Sequence, residues 1–373
     1  MSGLFLFAGF DDALRLTIYF YAMKSIPTAL CSFGMSGLVF HAPFISLHHG
    51  FELYAVAERS KQKAREIYPS IKSFSSVEEM LKDDYIELVV VNTPNATHFD
   101  YAKKALMAGK HVLVEKSFTV TVEEAAELLS IAAEFQKKII VFQNRRYDSD
   151  FRTVEQIIRS GRLGDIVDAE FHYDRYNLNL SPKQHKELPS PGAGVLHDLG
   201  PHIIDQAIYL FGMPGSLFAS LRITRPSSAV ADYFEILLFY PALTVRLKAS
   251  YIVAGPVPSY VVNGTKGSFQ KKRGDIQEDA LKTGAYPQEQ GWGREPESLR
   301  GILYYQQDGK NVEELIETLP GSYLDFYEAV YHSLAYDSRP PVTGEDGLHV
   351  MQVIDAAIES AQKAAVVRFS KYE

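Results

Sequence analysis

The sequence predicts an α/β protein in which an N-terminal doubly wound domain is followed by an α+β domain with an open, mainly antiparallel sheet. From Ile26 to Phe142, short runs of Val, Ile and Leu alternate with helical stretches. Such runs are typical of parallel strands buried on both faces, and their alternation with helices indicates a doubly wound sheet. After about Tyr147, longer alternating strands follow with few helices, which indicates a second, antiparallel sheet.

Each element is assigned from its periodicity and its breakers. In the first part, the strand candidates are Thr28–Phe33, Phe51–Ala57, Leu88–Val91, His111–Val114 and Lys138–Phe142, with helices at Ala102–Ala108 and Val122–Phe135. In the second part, the helix candidates are Phe151–Arg159, Tyr323–Ala335 and Gly347–Ala364, and the strands are Ile166–Tyr176, Ser216–Thr224, Tyr233–Tyr240 and Thr244–Val253. Residues 273–300 are polar and are predicted to form a long loop that holds Trp292.

We predict three segments: an extension outside the fold at 1–23, a dinucleotide-binding domain at 24–146, and a substrate-binding and dimerisation domain at 147–373. Asp11, Asp12 and Arg15 interrupt the apolar pieces of the extension. Neither piece therefore reaches the roughly 20 apolar residues of a membrane span. The basic region and cleavage site of a signal peptide are missing as well, and Met23 is a candidate for the true start.

Composition limits the possible partners and the compartment. The formal net charge is −8 and no basic block stands out, which argues against nucleic acid as a partner. Cys31 is the only cysteine, so an intrachain disulfide and a thiolate zinc cluster are both excluded. These features fit a cytoplasmic protein without a membrane anchor.

The first strand ends in a degraded dinucleotide fingerprint. Ser32 replaces its first glycine, and Gly34, Met35, Ser36 and Gly37 complete it. Gly34 would let the backbone approach a pyrophosphate, and Gly37 would let the next helix pack closely on the strand. The start of that helix offers free N–H groups to the phosphates. The alternative is a plain glycine turn in an unrelated α/β fold.

The residues after the second strand leave the choice between NAD and NADP open. Glu58 favours NAD because a carboxylate binds ribose hydroxyls and repels a 2′-phosphate. Arg59, Ser60, Lys61 and Lys63 follow at once and could hold that phosphate if Glu58 turns away. We therefore predict NAD(P), leaning towards NADP.

Further polar residues follow the third, fourth and fifth strands, where ligands sit in parallel sheets. They are predicted to complete the cofactor site and are Thr93, Pro94, Asn95, His98, Glu115, Lys116 and Asn144. The alternative for Asn95 or Thr97 is a helix cap. Lys116 also lies where its ammonium could stabilise a developing alkoxide.

A Gly-rich segment leads into Asp198 and His202. Residues four apart can share one helix face, and a histidine with a nearby carboxylate is a common proton acceptor. The alternative is an N-cap aspartate beside an unrelated histidine. A metal site formed by His197, Asp198, His202 and Asp205 is disfavoured because residues 197 and 202 would point to different faces of a helix.

The ordered set of these motifs resembles the Gfo/Idh/MocA family, which includes glucose-fructose oxidoreductase and inositol dehydrogenases. The set consists of the fingerprint with Val39–Phe44, Asn92–Pro94, Glu115–Ser117, Asn144–Tyr147 and the segment from Asp198 to His202. The segments 144–151, 200–214 and 288–293 look most similar to those of bacterial NADP-type scyllo-inositol dehydrogenases. The resemblance covers about residue 26 onward and implies a Rossmann domain followed by an open antiparallel sheet that often forms a dimer interface.

The resemblance implies an NAD(P)-dependent oxidoreductase that acts on a secondary alcohol of a polyol or sugar and forms a homo-oligomer. Lys116 matches the lysine of the family's Glu-Lys-Pro motif, and Asp198 and His202 match its acid and its histidine. Substrate contacts are expected from these three residues together with Asn144, Arg146, Tyr147 and Tyr176. Ser32 and Ser117 depart from the pattern, which predicts weaker cofactor binding and a less rigid lysine loop. The alternatives are a non-catalytic NAD(P) sensor and a redox-assisted glycoside hydrolase.

Overall fold

The computed structural model describes residues 25–59, 62–181, 187–274 and 276–369. The predicted extension at 1–23 lies outside these described residues, as do Ser60 and Lys61 of the basic cluster. Among the described residues, no helix is both long enough and apolar enough to cross a membrane.

The N-terminal part forms a six-stranded sheet in the order β3-β2-β1-β4-β5-β6. All of its pairings are parallel, so the predicted doubly wound sheet is confirmed. The strands are β1 (Ile26–Leu30), β2 (Phe51–Ala57), β3 (Lys72–Phe74), β4 (Leu88–Val91), β5 (His111–Val114) and β6 (Ile139–Val141). The strand order reverses between β1 and β4, and the crevice beyond their carboxyl ends is where such sheets bind ligands.

The helices of this part follow the strands in sequence. A π-helical turn at Gly37–His41 runs into α1 (Ala42–Leu47), and then come α2 (Lys63–Ile67), α3 (Val77–Met80), α4 (His98–Met107) and α5 (Val122–Glu134). Thr121 and Glu124 form a reciprocal capping box at the start of α5, which satisfies two otherwise free N–H groups.

The C-terminal part forms a nine-stranded sheet in the order β14-β13-β12-β11-β7-β10-β9-β8-β15. Its pairings are antiparallel except for the parallel contact between β7 and β10, so the predicted mainly antiparallel sheet is confirmed. The strands are β7 (Ile166–His172), β8 (Ser216–Arg222), β9 (Tyr233–Phe239), β10 (Thr244–Ser250), β11 (Tyr260–Gly264), β12 (Gly267–Lys271), β13 (Gly301–Gln307), β14 (Lys310–Ile316) and β15 (Val367–Arg368). Strand β9 alternates half-buried and buried residues, as expected for a sheet with one covered face.

The helices of the C-terminal part are α6 (Ser149–Arg159), α7 (Val195–Asp198), α8 (Gly200–Phe211), α9 (Ile276–Lys282), α10 (Tyr323–Ala335) and α11 (Gly344–Lys363). The prediction of an unbroken loop at 273–300 is wrong, because α9 and a 3₁₀ turn (Glu297–Leu299) lie within it. Tertiary contacts hold α9 in place: Gln277 is buried, donates to Tyr147 O and accepts from the main-chain N–H of Tyr323.

The last two helices return to the N-terminal sheet. On α10, the ring of Tyr327 stacks on Phe44 with a centroid separation of 5.6 Å. At the start of α11, Thr343 forms a bridge with Ile140 of β6. Helix α11 also packs against α5 and α8. The two sheets therefore meet through shared helices, and a cleft runs between them at the carboxyl ends of the parallel strands.

Candidate active site

The fingerprint loop is tied to the end of β4 by a reciprocal pair. Ser32 N–H donates to Asn92 Oδ1 at 3.0 Å, Asn92 Nδ2 donates to Ser32 O at 2.9 Å, and Ser32 Oγ donates to Asn92 O at 2.9 Å. A Cβ on Gly37 would lie 2.6 Å from Ser32 O, whereas one on Gly34 would meet no atom within 4 Å. Gly37 thus permits close helix packing, and Gly34 leaves open space beside the turn, so the loop fits a dinucleotide pyrophosphate.

The acid after β2 is directed at a neighbouring helix. Glu58 Oε2 accepts from the main-chain N–H of Ala64 at 3.3 Å, near the start of α2. Arg59 is exposed at the same edge of the sheet. A carboxylate at a helix start is favourable because it meets free N–H groups, so Glu58 has a structural partner besides any ribose.

The loop after β4 contributes to the cleft through three of its four predicted residues. Thr93, Pro94 and Asn95 line the cleft, and Asn95 Nδ2 donates to Gly192 O at 2.9 Å. His98 does not line it. Its ring is buried, with Nδ1 2.7 Å from Ser117 O and Nε2 2.8 Å from Thr93 O. The predicted cofactor contact of His98 is therefore corrected to a brace between the loops that follow β4 and β5.

Glu115 forms the centre of a hydrogen-bond network next to the fingerprint loop. Its carboxylate accepts from Ser36 Oγ and lies 3.1 Å from His41 Nε2, while His41 Nδ1 lies 2.7 Å from Tyr327 Oη. Burial alone would raise the pKa of Glu115, but hydrogen bonds and charge from His41, Ser36 and Lys116 outweigh it and lower that pKa to about 2. Glu115 is therefore a carboxylate at neutral pH.

Lys116 spans the cleft to the C-terminal part. Its Nζ donates to Asp198 O at 2.5 Å and to Asp198 Oδ1 at 3.3 Å. The next residue, Ser117, donates from Oγ to His197 O at 3.0 Å, and the Lys116–Ser117 peptide is cis. The lysine loop is thus anchored on α7 by two adjacent residues, one of which is the serine in place of proline.

His202 also lines the cleft but does not share a helix face with Asp198. Asp198 is the last residue of α7, and α8 begins at Gly200, so the prediction of one continuous face is wrong. Leu199, between the two helices, keeps a right-handed helical backbone with φ −108° and ψ −28°. The His202 ring is 5% exposed and lies 5.9 Å from the Tyr173 ring, and its Nδ1 has no hydrogen-bond partner among the described residues.

Burial is the main reason why the pKa of His202 lies well below its ordinary value. The charges of Lys116, Arg145 and Arg273 lower that pKa further, and Asp198 opposes them. The imidazole is therefore neutral at neutral pH and has the capacity to accept a proton.

Three predicted substrate contacts lie outside the cleft lining. Arg146 is buried and donates from Nε and Nη2 to both carboxylate oxygens of Asp205, at 2.7 and 2.6 Å. Tyr147 packs edge-on against Phe326 at 5.6 Å. Tyr176 is 61% exposed and forms a strand bridge with Ile252. Burial and packing fix the first two side chains, and Tyr176 lies on the open surface.

The structure brings together most of the remaining predicted residues and adds others. The cleft has a volume of about 360 Å³. The predicted residues that line it are Met35, Ser36, Thr93, Pro94, Asn95, Glu115, Lys116, Asn144, Asp198 and His202. Residues that were not predicted to line it include Arg145, Tyr173, Arg175 and Glu278. Among the described residues, no group of three His, Cys, Asp or Glu side chains is arranged to hold a metal ion.

Comparison with known proteins identifies the class. Residues 26–143 match the oxidoreductase family with an NAD-binding Rossmann fold, and residues 155–369 match the C-terminal alpha/beta domain of the same family. The chain belongs to this Gfo/Idh/MocA oxidoreductase family. Membership of this family supports the conclusion that the protein is an NAD(P)-dependent dehydrogenase.

Individual relatives resemble the chain over nearly its whole length. The scyllo-inositol 2-dehydrogenase (NADP(+)) IolW of Bacillus subtilis is 33% identical, over 92% of this chain and 96% of the relative. An oxidoreductase of Schizosaccharomyces pombe is 39% identical, over 93% and 100%. The solved structure of the oxidoreductase yvaA from Bacillus subtilis superposes with a TM-score of 0.90 at 33% identity, and the match covers 93% of this chain and 99% of that structure.

Proposed function

We propose that this protein transfers a hydride between the nicotinamide of NADP and a secondary alcohol or ketone of a polyol or sugar. One observation carries the proposal: Lys116, which follows β5, lines a single cleft with Asp198 and His202 of the C-terminal part, next to the fingerprint loop. An ammonium and a neutral imidazole beside a dinucleotide site are the groups that alcohol oxidation needs.

Three residues of the chain have distinct roles in the proposed reaction. His202 accepts the hydroxyl proton of the substrate, because its imidazole is neutral and reaches the cleft. Lys116 donates a hydrogen bond to the same oxygen and stabilises the developing alkoxide. Asp198 orients the Lys116 ammonium through its carbonyl and its carboxylate. A bound nicotinamide would accept the hydride from the carbinol carbon, or supply it in the reverse direction.

The cofactor would lie along the fingerprint loop. The loop at Gly34–Gly37 would hold the pyrophosphate, and Thr93, Pro94 and Asn95 would line the path towards the nicotinamide. We favour NADP because the Glu58 carboxylate bonds to the start of α2 while Arg59 is exposed beside it. Two relatives support this choice by name, IolW and a D-xylose 1-dehydrogenase (NADP(+)) of Haloferax volcanii that is 24% identical.

The substrate class follows from the polar lining of the cleft. The cleft is lined by the hydrogen-bonding side chains of Asn144, Arg145, Tyr173 and His202. Such a lining is expected for a ligand that carries several hydroxyls. The relatives named for scyllo-inositol and D-xylose act on ligands of that kind, and both compounds belong in the panel of candidate substrates.

The predicted homo-oligomer remains a proposal, with the outer face of the nine-stranded sheet as its interface. Leu315 of β14 and the half-buried Phe218 of β8 and Leu237 of β9 alternate with the buried residues of their strands and therefore lie on this outer face. Exposed apolar residues on a broad sheet favour association. Light scattering after gel filtration tests this proposal, and a monomer would contradict it.

The function is tested by following nicotinamide absorbance with a panel of polyols and sugars, each with NAD and NADP in both directions. Turnover of at least one polyol or sugar, faster with NADP, is the expected result. Cofactor binding without turnover of any substrate would indicate a sensor instead. Release of an aglycone from a glycoside, with tightly retained cofactor and no net reduction, would indicate redox-assisted hydrolysis.

A further inference from the structure

The substrate side of the cleft contains an arginine that no described acid neutralises. Arg175 follows β7, lines the cleft and makes no ion pair with any described residue. Among the other charged residues of the lining, Lys116 pairs with Asp198 and Arg145 pairs with Glu278, while the Glu115 carboxylate contacts His41 and Ser36. Arg175 is exposed, and its guanidinium is therefore available to a ligand that enters the cleft.

The acid next to Arg175 in sequence is directed elsewhere. Asp174 Oδ2 lies 3.1 Å from His172 Nδ1 and 3.8 Å from Lys248 Nζ. Neighbouring residues of an extended chain point to opposite sides, which explains why Asp174 does not neutralise the guanidinium that follows it.

Arg175 lines the same cleft as His202 and also lines a second, smaller pocket. Its guanidinium carbon lies 5.3 Å from the centre of the Tyr173 ring, and that ring lies 5.9 Å from His202. A side pocket of about 160 Å³ adjoins the cleft and shares Arg175, Gly194 and Asp198 with it. A substituent attached near the reacting carbon thus has room beside Arg175.

We propose that Arg175 binds an oxyanion carried by the substrate, so that the preferred substrates are acidic sugars or polyols with a carboxylate or a phosphate ester. The planar guanidinium can bind either group through two parallel hydrogen bonds. The inference rests on the proposed dehydrogenase function and narrows its substrate class.

The surroundings of His202 support an anionic ligand independently. Burial lowers the pKa of His202, and the charges of Lys116, Arg145 and Arg273 lower it further, whereas Asp198 raises it. Arg273 packs on the Tyr173 ring at 4.1 Å, so a second guanidinium lies against the same ring as Arg175. An anionic group bound next to these guanidinium groups would gain binding energy from them.

The test measures binding separately from turnover. Isothermal titration of the enzyme saturated with NADP⁺ compares D-glucuronate, D-glucose 6-phosphate and neutral D-glucose. We expect at least one of the anions to bind the wild type roughly tenfold or more tightly than D-glucose, and the two anions distinguish a carboxylate site from a phosphate site. Arg175→Gln should abolish that preference, and Arg175→Lys should retain part of it.

Arg222→Gln is the matched control. Arg222 lies on β8, where its guanidinium packs on Tyr233 at 4.1 Å, and it does not line the cleft. This variant should bind all three sugars as the wild type does. NADP affinity should be unchanged in both glutamine variants.

Equal binding of all three sugars by the wild type would overturn the inference, as would an unchanged anion preference in Arg175→Gln. A loss of NADP affinity in Arg175→Gln would also overturn it, because the guanidinium would then serve the cofactor. The proposed function fails in a different way. Anion binding that depends on Arg175, without nicotinamide turnover of any substrate, would support the site and contradict the dehydrogenase.

Discussion

Lys116 Nζ donates to both the main-chain carbonyl and the carboxylate of Asp198, at 2.5 and 3.3 Å. The lysine follows β5 of the first sheet, and the aspartate ends α7 of the C-terminal part. The two side chains are 20% and 17% exposed, so a substrate can still reach them. Asp198 thus orients the ammonium, and its charge also raises the pKa of His202.

Lys116→Met should reduce kcat by roughly two to four orders of magnitude, because the alkoxide loses its charged donor. NADP should still bind, since the fingerprint loop is untouched. Steady-state kinetics with the best polyol and fluorescence titration of NADPH measure the two effects. Lys104→Met is the control, because Lys104 pairs with Glu78 on the surface, and near-normal turnover in Lys116→Met would refute the assigned role.

The pH dependence of alcohol oxidation should follow His202. A histidine must be neutral to accept a proton, and burial together with Lys116, Arg145 and Arg273 holds the pKa of His202 well below 6.5. The rate should therefore stay constant through neutral pH and fall only as the pH drops through that lowered pKa. Profiles of kcat/KM measure this acidic limb, and His202→Asn should remove it together with roughly a hundredfold or more of the rate.

Lys116→Met provides a second check on this limb. Removing a positive charge near His202 raises the pKa of the imidazole, so the acidic limb of the residual activity should move towards neutral pH. An unchanged limb in this variant, or a wild-type limb at or above pH 6.5, would contradict the proton-acceptor role.

Arg59→Ala should weaken the preference for NADP. If Arg59 holds the 2′-phosphate by a charge-assisted bond, kcat/KM for NADP should fall roughly tenfold or more, while the value for NAD changes little. Parallel kinetics with both cofactors measure the ratio. Arg246→Ala on the distant sheet, where Arg246 meets Glu170 and Glu235, should change neither value, and an equal loss for both cofactors in Arg59→Ala would contradict the assignment.

Arg146 should matter for stability and not for substrate affinity. Arg146→Ala leaves the buried carboxylate of Asp205 without its bidentate partner, which should reduce the free energy of unfolding by about 3–5 kcal/mol. Urea denaturation measures this loss. The double variant Arg146→Met with Asp205→Leu should recover much of it, and a change in KM without a change in stability would favour the original substrate role.

Much of the fold was predictable because strands that are buried on both faces have near-continuous runs of apolar residues in the sequence. The runs at Leu88–Val91 and His111–Val114 are strands with the predicted bounds, and the predicted helix Tyr323–Ala335 is observed unchanged. Strands β11 to β14 were not predicted. Glycines and polar residues interrupt their sequences, and their pairing depends on distant partners.

Site residues that follow the ends of strands could be predicted, because the sheet determines where they lie. Site residues that tertiary packing places in the cleft could not be predicted. Lys116 and Asn95 follow buried strands, and their place at the cleft follows from the sheet. Arg145 and Arg146 are consecutive in a 3₁₀ turn, and no pattern in the sequence shows which one reaches the cleft. The sequence did not single out Arg175, because its place in the cleft and the contacts of its neighbour Asp174 with His172 and Lys248 depend on tertiary packing.

The hydrogen bond between Tyr327 and His41 has a consequence for biosynthesis. Tyr327 Oη donates its proton to Phe40 O at 2.9 Å and contacts His41 Nδ1 at 2.7 Å, so α10 supports the turn that follows the fingerprint loop. During synthesis, most of the chain must therefore leave the ribosome before Tyr327 of α10 can contact this turn. A fragment that ends after the parallel sheet should therefore bind the nucleotide more weakly. Fusion or split designs should keep α10 together with the domain that contains the parallel sheet.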